Sequence, residues 1–196
     1  MWGTPSLTDL QHQSLLPYLS QTEESRSLSL PPALAKRYLA GRFYARKLAS
    51  EILQQDWQNI TPAAQCAVCG GDHGAISIRG SDLNVSVAYS GDHAVAFAAH
   101  GRKVGIDIES GHPSEERQVG ILHSTTSITL QGWCDYEAVV KADGRGILID
   151  FSDVEISERD GEKYGQVRGS AEIYAFIPLE APAGVVVSAV IETLPG

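Results

Sequence analysis

The spacing of apolar positions changes along the chain and divides it into predicted elements. Over residues 1–31 short apolar clusters such as Leu15-Leu16 and Tyr18-Leu19 alternate with Ser and Gln, a pattern of one or two short helices. From Pro32, a residue suited to a first helical turn, Leu34, Tyr38, Gly41, Ala45, Leu48 and Ile52 recur at alternating steps of four and three. That spacing predicts one long helix to about Gln55 with a single buried stripe. Gly41 inside it costs about 1 kcal/mol relative to Ala, so another backbone is expected to approach closely there. After a Pro- and Gly-containing loop at 61–74 the period drops to two. Short apolar or alternating runs at 75–78, 83–89, 94–99 and 104–108 are separated by polar turns, which predicts an antiparallel meander. A second helix is expected over 132–142, closed by Gly144 and Gly146, and strands return at 147–149, 154–157, 171–177 and 184–191. Helix followed by strands occurs twice, so the pattern predicts an α+β protein of two similar halves, 1–100 and 101–196.

Composition narrows the class. The chain has 196 residues, 43% of them apolar, enough to bury a core without covalent staples. No run approaches the roughly 18 apolar residues of a membrane span, and the N-terminus lacks the layout of a signal peptide, so the expectation is a soluble, cytoplasmic protein. Cys66, Cys69 and Cys134 are too few and too odd for a secreted disulfide scaffold. The net charge of −9 argues against broad nucleic-acid binding, which needs a positive surface to displace counterions. That charge is uneven: residues 1–100 carry seven Lys/Arg against eight Asp/Glu, and residues 101–196 eight against sixteen. The first half is therefore the better host for an anion and the second for a cation.

Four constellations carry chemistry. In Gly105-Ile106-Asp107-Ile108-Glu109, alternation on a strand turns Asp107 and Glu109 to one side and Ile106 and Ile108 to the core. Two adjacent carboxylates suit a hard divalent ion such as Mg²⁺, though an acidic strand edge would read the same way. Glu137 and Lys141 lie four apart on the second helix and share a face, which by itself describes a surface ion pair. Lys36, Arg37, Arg42, Arg46 and Lys47 put five cations into twelve positions. Arg42 and Arg46, four apart, suit two guanidinium groups converging on a phosphate; a solvated helix face is the plainer alternative. Cys66-x-x-Cys69, with His73 and His93 beyond it, offers a zinc pair without a second CxxC to close it.

In this order the motifs resemble the surfactin-type (Sfp-type) 4′-phosphopantetheinyl transferases. The resemblance spans roughly residues 19–155. It rests on Leu19-Ser20 with Glu23-Glu24 and Arg26; on Arg37 to Arg42 continuing to Arg46; on Cys66 to Gly70 with His73-Gly74; on Val85-Ser86-Val87 through Ser90-Gly91-Asp92; on Val104 to Glu109; and on Trp133 with Glu137-Ala138, Lys141, Gly144 and Gly146. It implies a pseudo-twofold fold of two α+β halves, a monomer that mimics a dimer, with its site in the cleft between them. The implied reaction moves the phosphopantetheine arm of coenzyme A to a serine of an apo acyl, peptidyl or aryl carrier protein and releases 3′,5′-ADP. Asp107, Glu109 and Glu137 would hold Mg²⁺, with Mn²⁺ as an alternative. Glu137, directly or through a metal-bound water, would take the serine proton, Lys141 would meet the diphosphate, and Arg42 with Lys36 or Arg46 would hold the 3′-phosphate. Tyr89 and Ser90 would face the coenzyme.

The sequence also departs from the family pattern. Ala75-Ile76 stands where Lys-Pro is usual, Ala88-Tyr89 replaces a serine-histidine pair, and Tyr136 replaces the lysine before the helix glutamate. The segment between Gly111 and Gly132 is short and lacks the usual Phe- and Pro-rich signature, and a missing or abbreviated first strand is expected. Arg79 or Lys103 are the candidate replacement cations. The alternative function is a weakened or repurposed homologue that binds a carrier protein or a nucleotide without transfer.

Overall fold

The computed structural model describes residues 1–64, 71, 74–121 and 124–194. In chain order the elements are β1 (Trp2–Gly3), α1 (Asp9–Leu15), α2 (Gln21–Ser29), α3 (Pro32–Leu53), β2 (Pro62–Ala64), β3 (Ile76–Ile78), β4 (Leu83–Ser90), β5 (His93–His100) and β6 (Val104–Ser110). The hairpin β7 (Glu116–Ile121) and β8 (Ser124–Thr129) follows, then α4 (Leu130–Asp143), β9 (Val154–Arg159), β10 (Glu162–Val167), β11 (Ile173–Phe176) and β12 (Val185–Glu192). This is an α+β protein with antiparallel sheets, as the periodicity predicts.

Local chemistry explains where the helices start and stop. Thr8 and Ser20 open α1 and α2 as reciprocal capping boxes with Gln11 and Glu23. Thr129 caps α4 through the Gly132 amide, and Gly144, at φ 87°, ends it in the left-handed conformation that favours glycine. Helix α3 begins at Pro32 and buries Leu39, Ala40, Phe43, Tyr44, Ala45 and Ala49. The predicted stripe fails at its ends, where Leu34 and Ile52 are exposed. In the middle α3 is covered on a second side as well, because α2 packs across Arg42 and Arg46.

Two five-stranded sheets follow, in the orders β1-β5-β4-β3-β2 and β6-β12-β11-β10-β9. Helix α3 lies on the first and α4 on the second. The first strand is indeed abbreviated: β1 pairs only Trp2 and Gly3 with β5. The predicted four-strand meander breaks after β5, since β6 leaves that sheet and pairs with β12. Strands β4 and β6 nevertheless run side by side in the same direction. The Ile106 and Ser110 amides donate to the hydroxyls of Ser86 and Ser90, at 3.1 and 2.9 Å, with the same offset of 20 residues. Ala88 and Val95 from one sheet and Ile106, Ile108 and Ala189 from the other form a shared core beneath this seam.

Two further expectations are corrected. Residues 147–149 do not form a strand; Gly146–Leu148 is a single 3-10 turn. Strand β10 went unpredicted because its run Glu-Lys-Tyr-Gly-Gln-Val is polar, yet Gly165 and Val167 are buried under α4, where a Cβ on Gly165 would meet Val139 at 2.4 Å. Among the described residues no helix is long and apolar enough to cross a membrane.

Candidate functional site

Between the two halves lies a cleft of about 1080 Å³. One wall is built by Tyr38, Gly41 and Arg42 of α3 with Val87 and Tyr89 of β4. The facing wall is built by Trp133, Tyr136, Glu137 and Lys141 of α4, joined by Arg117 of β7 and Phe151. These walls meet because β4 and β6 are neighbours and α4 sits directly on β6. The second contact depends on Gly105, where a Cβ would stand 1.8 Å from the Ala138 carbonyl oxygen.

Asp107 and Glu109 lie on one face of β6, as alternation requires, and Asp107 is buried rather than at an exposed edge. Lys141 Nζ donates to Asp107 Oδ1 at 2.7 Å and to the Ile106 carbonyl at 3.1 Å. The Glu137–Lys141 surface ion pair is therefore not formed: Lys141 reaches across to β6. Burial pushes the Asp107 carboxyl above its ordinary value, with Lys141 pulling it back. Burial, and then repulsion by Asp107, likewise raises Glu137. Among the described residues no donor meets the Glu137 carboxylate. Glu109 is closed by Arg117 Nη1 at 2.6 Å and by the Ser90 hydroxyl at 3.1 Å. Burial and the neighbouring carboxylates raise Cys134, which packs against Asp107, so its thiol stays protonated.

Three carboxylates thus share one neighbourhood with two cations. Their donor chemistry, hard oxygens around one unpaired carboxylate, fits Mg²⁺ or Mn²⁺. Among the described residues no three acidic, histidine or cysteine side chains already converge as a ligand cluster. In this state Lys141 and Arg117 occupy oxygens of Asp107 and Glu109.

On the opposite wall Arg42 is 6% exposed. Its guanidinium lies 5.0 Å from the centre of the Tyr38 ring and its Nε 3.7 Å from Glu23, while Nη1 is buried without a hydrogen-bond partner. A buried charged donor without a partner is costly, so this nitrogen at the cleft wall is available to an acceptor. Arg46 does not join it. Its side chain is fully buried and donates to both Glu23 oxygens, at 2.9 and 2.7 Å, and to the Tyr18 carbonyl. Both arginines thus lie against Glu23. Lys36 is exposed and lies outside the cleft lining. Ser90 is also outside it, bridging Glu109 and β6.

Tyr89 does face the cleft, and burial raises its phenol far above its ordinary value. Ala88, the other half of that departure, faces the core. Tyr136 donates its hydroxyl to the Ile149 carbonyl at 2.9 Å and sits between the Trp133 and Phe151 rings. Neither expected replacement cation lines the cleft: Arg79 is exposed outside it, and Lys103 pairs with Glu172. The residue that sequence reasoning missed is Arg117. Its only signal was a lone arginine on the far side of Glu109, in a stretch that looked featureless. Cys66, Cys69 and His73 lie outside the described residues.

No family model matches the chain, and no curated protein matches it either.

Proposed function

We propose that the protein is a metal-dependent 4′-phosphopantetheinyl transferase, with the pseudo-twofold arrangement of that family. The observation that carries this reading is a single cleft lined by Arg42 of the first half, whose Nη1 has no hydrogen-bond partner, and by Glu137 and Lys141 of the second, Lys141 being paired with Asp107. Anion binding on one wall and carboxylate chemistry on the other are what coenzyme A and a divalent ion require.

Arg42 would bind the 3′-phosphate, satisfying Nη1, and Tyr38 and Tyr89 would line the path of the nucleotide. Asp107, Glu109 and Glu137 would hold Mg²⁺, whose charge when bound offsets that of the diphosphate. Glu137, with its proton affinity raised by burial and by Asp107, takes the proton of the carrier serine. The serine oxygen then bonds to the phosphorus that carries the pantetheine arm. The phosphoanhydride bond breaks, and 3′,5′-ADP leaves with the electron pair. Lys141 stabilises the charge that develops on the bridging oxygen.

Incubation with Mg²⁺, coenzyme A and a panel of apo carrier proteins, read by intact mass spectrometry, tests the proposal. One carrier gains the mass of a phosphopantetheine arm with the wild type and not with Asp107→Ala. The commitment of the Tyr136 hydroxyl to Ile149, in place of a cation facing the cleft, favours a second reading as a binding homologue. In that case no carrier changes mass while a carrier still raises the melting temperature.

A further inference from the structure

Helix α3 carries two buried guanidinium groups, and one buried carboxylate serves both. Glu23 is 3% exposed, Arg42 6% and Arg46 0%, and among the described residues Glu23 is the only acid within ion-pair range of either arginine. The two arginines share it unequally. Arg46 Nη1 donates to Glu23 Oε1 at 2.9 Å and Nη2 to Oε2 at 2.7 Å, while Oε2 also accepts the Ser20 amide at 2.9 Å. Arg42 Nε stands 3.7 Å from Oε1, outside hydrogen-bond distance. The Tyr18 carbonyl at 2.9 Å and the Arg42 carbonyl at 3.3 Å accept further bonds from the Arg46 fork and fix it over Glu23.

Two guanidinium charges against one carboxylate leave one positive charge in excess in a desolvated setting, which is costly without a counter-anion. The excess lies at Arg42, whose ring-stacked guanidinium has no partner for Nη1 and lines the cleft, where its charge acts on the Tyr89 phenol. Arg46 does not line the cleft. A strut between α2 and α3 needs only one arginine on Glu23, and a second beside the same carboxylate adds repulsion to it. If Arg42 stood there alone, Glu23 would be free to close on it and neutralise it.

We propose that Arg46 is a positioning residue: by engaging both oxygens of Glu23 it keeps that carboxylate from closing on Arg42, and so holds the Arg42 charge open to a phosphate in the cleft. That the phosphate belongs to coenzyme A rests on the function proposed above; the competition of the two arginines for Glu23 does not.

Titration of inorganic phosphate into the wild type, Arg42→Met, Arg46→Met, Arg46→Lys and the double variant Glu23→Gln/Arg46→Met, followed by NMR chemical shifts, tests the competition. Arg42→Met is expected to abolish the binding seen in the wild type. Arg46→Met, in which Glu23 turns to Arg42, should weaken it about tenfold or more. The double variant replaces the buried pair by neutral groups and should regain at least the affinity of the wild type. Arg46→Lys keeps a charge on Glu23 without the fork, should lose less than Arg46→Met, and covers the case in which Arg46→Met fails to fold. A merely structural role for Arg46 would leave the double variant as weak as Arg46→Met, and that result overturns the proposal. So does phosphate binding that is undiminished in Arg46→Met or in Arg42→Met. If phosphate follows the expected order while no carrier protein is modified, the positioning role stands and the transferase reading falls. If carriers are modified and Arg46→Met leaves the KM for coenzyme A unchanged, the transferase reading stands and the positioning role falls.

Discussion

Gly105 and Ala138 lie so close that a Cβ on the glycine would stand 1.8 Å from the Ala138 carbonyl oxygen and 2.8 Å from the Ala142 amide nitrogen. The neighbour is helix backbone, which cannot turn aside as a side chain can. Any larger residue at 105 therefore lifts α4 off β6, and with it Glu137 and Lys141 away from Asp107. Gly105→Ala is expected to destabilise the fold by about 3 kcal/mol in urea denaturation and to break the Lys141–Asp107 pair. Gly144→Ala is the comparison, since nothing lies within 4 Å and only the left-handed φ is strained. It should cost about 1 kcal/mol and leave the pair intact.

Gly41 plays the corresponding role on the other wall. The close neighbour there is not backbone, as the sequence suggested, but the Tyr89 hydroxyl, 1.7 Å from where a Cβ would be. Gly41→Ala gains about 1 kcal/mol of helix propensity and loses more to the clash, for a net cost of about 1–2 kcal/mol. Combined with Tyr89→Phe, which removes the clashing oxygen, the cost should be less than the sum of the two. Additive melting data would show that Tyr89 does not occupy that space.

The Glu23–Arg46 pair joins α2 to α3 and should make stability depend on acid. Burial by itself would raise Glu23, but the hydrogen bonds and charge of Arg46, with Arg42 behind, hold it below its ordinary value of 4.5. Below that value the unfolded chain binds protons that the folded chain refuses, so folding is favoured by rising pH. The contribution is complete above pH 4.5 and is lost as pH falls through the lower folded value. Glu23→Gln is expected to flatten this acid limb in pH-dependent denaturation. Glu23→Ala should cost about 3–5 kcal/mol at neutral pH by leaving Arg46 buried without its counter-charge.

Arg42 should discriminate coenzyme A from dephospho-coenzyme A if its unpaired Nη1 receives the 3′-phosphate. One charge-assisted hydrogen bond of about 1.5–3 kcal/mol corresponds to a preference of about tenfold to a hundredfold. Arg42→Lys retains the charge but not the fork and should lose most of that preference, while binding of dephospho-coenzyme A changes little. Equal affinity of the wild type for both compounds would remove Arg42 from the site.

What the sequence determined by itself was periodic or local. Alternation sufficed to turn Asp107 and Glu109 together and Ile106 and Ile108 inward, because successive residues of any strand point to opposite faces. Capping chemistry and the glycine after Lys141 bounded α4, and the spacing of Glu137 and Lys141 was enough to put both on one face of it. Tertiary structure alone decided which groups pair. Lys141 reaches β6 rather than Glu137, Arg46 and Arg42 both turn to Glu23, and Arg117 crosses from a hairpin to Glu109. Each of those partners lies on a different element, and charge at a position does not say which element will be folded against it. The break of the meander at β6 has the same origin: strand pattern is local and does not say whether β5 or β12 will lie beside β6.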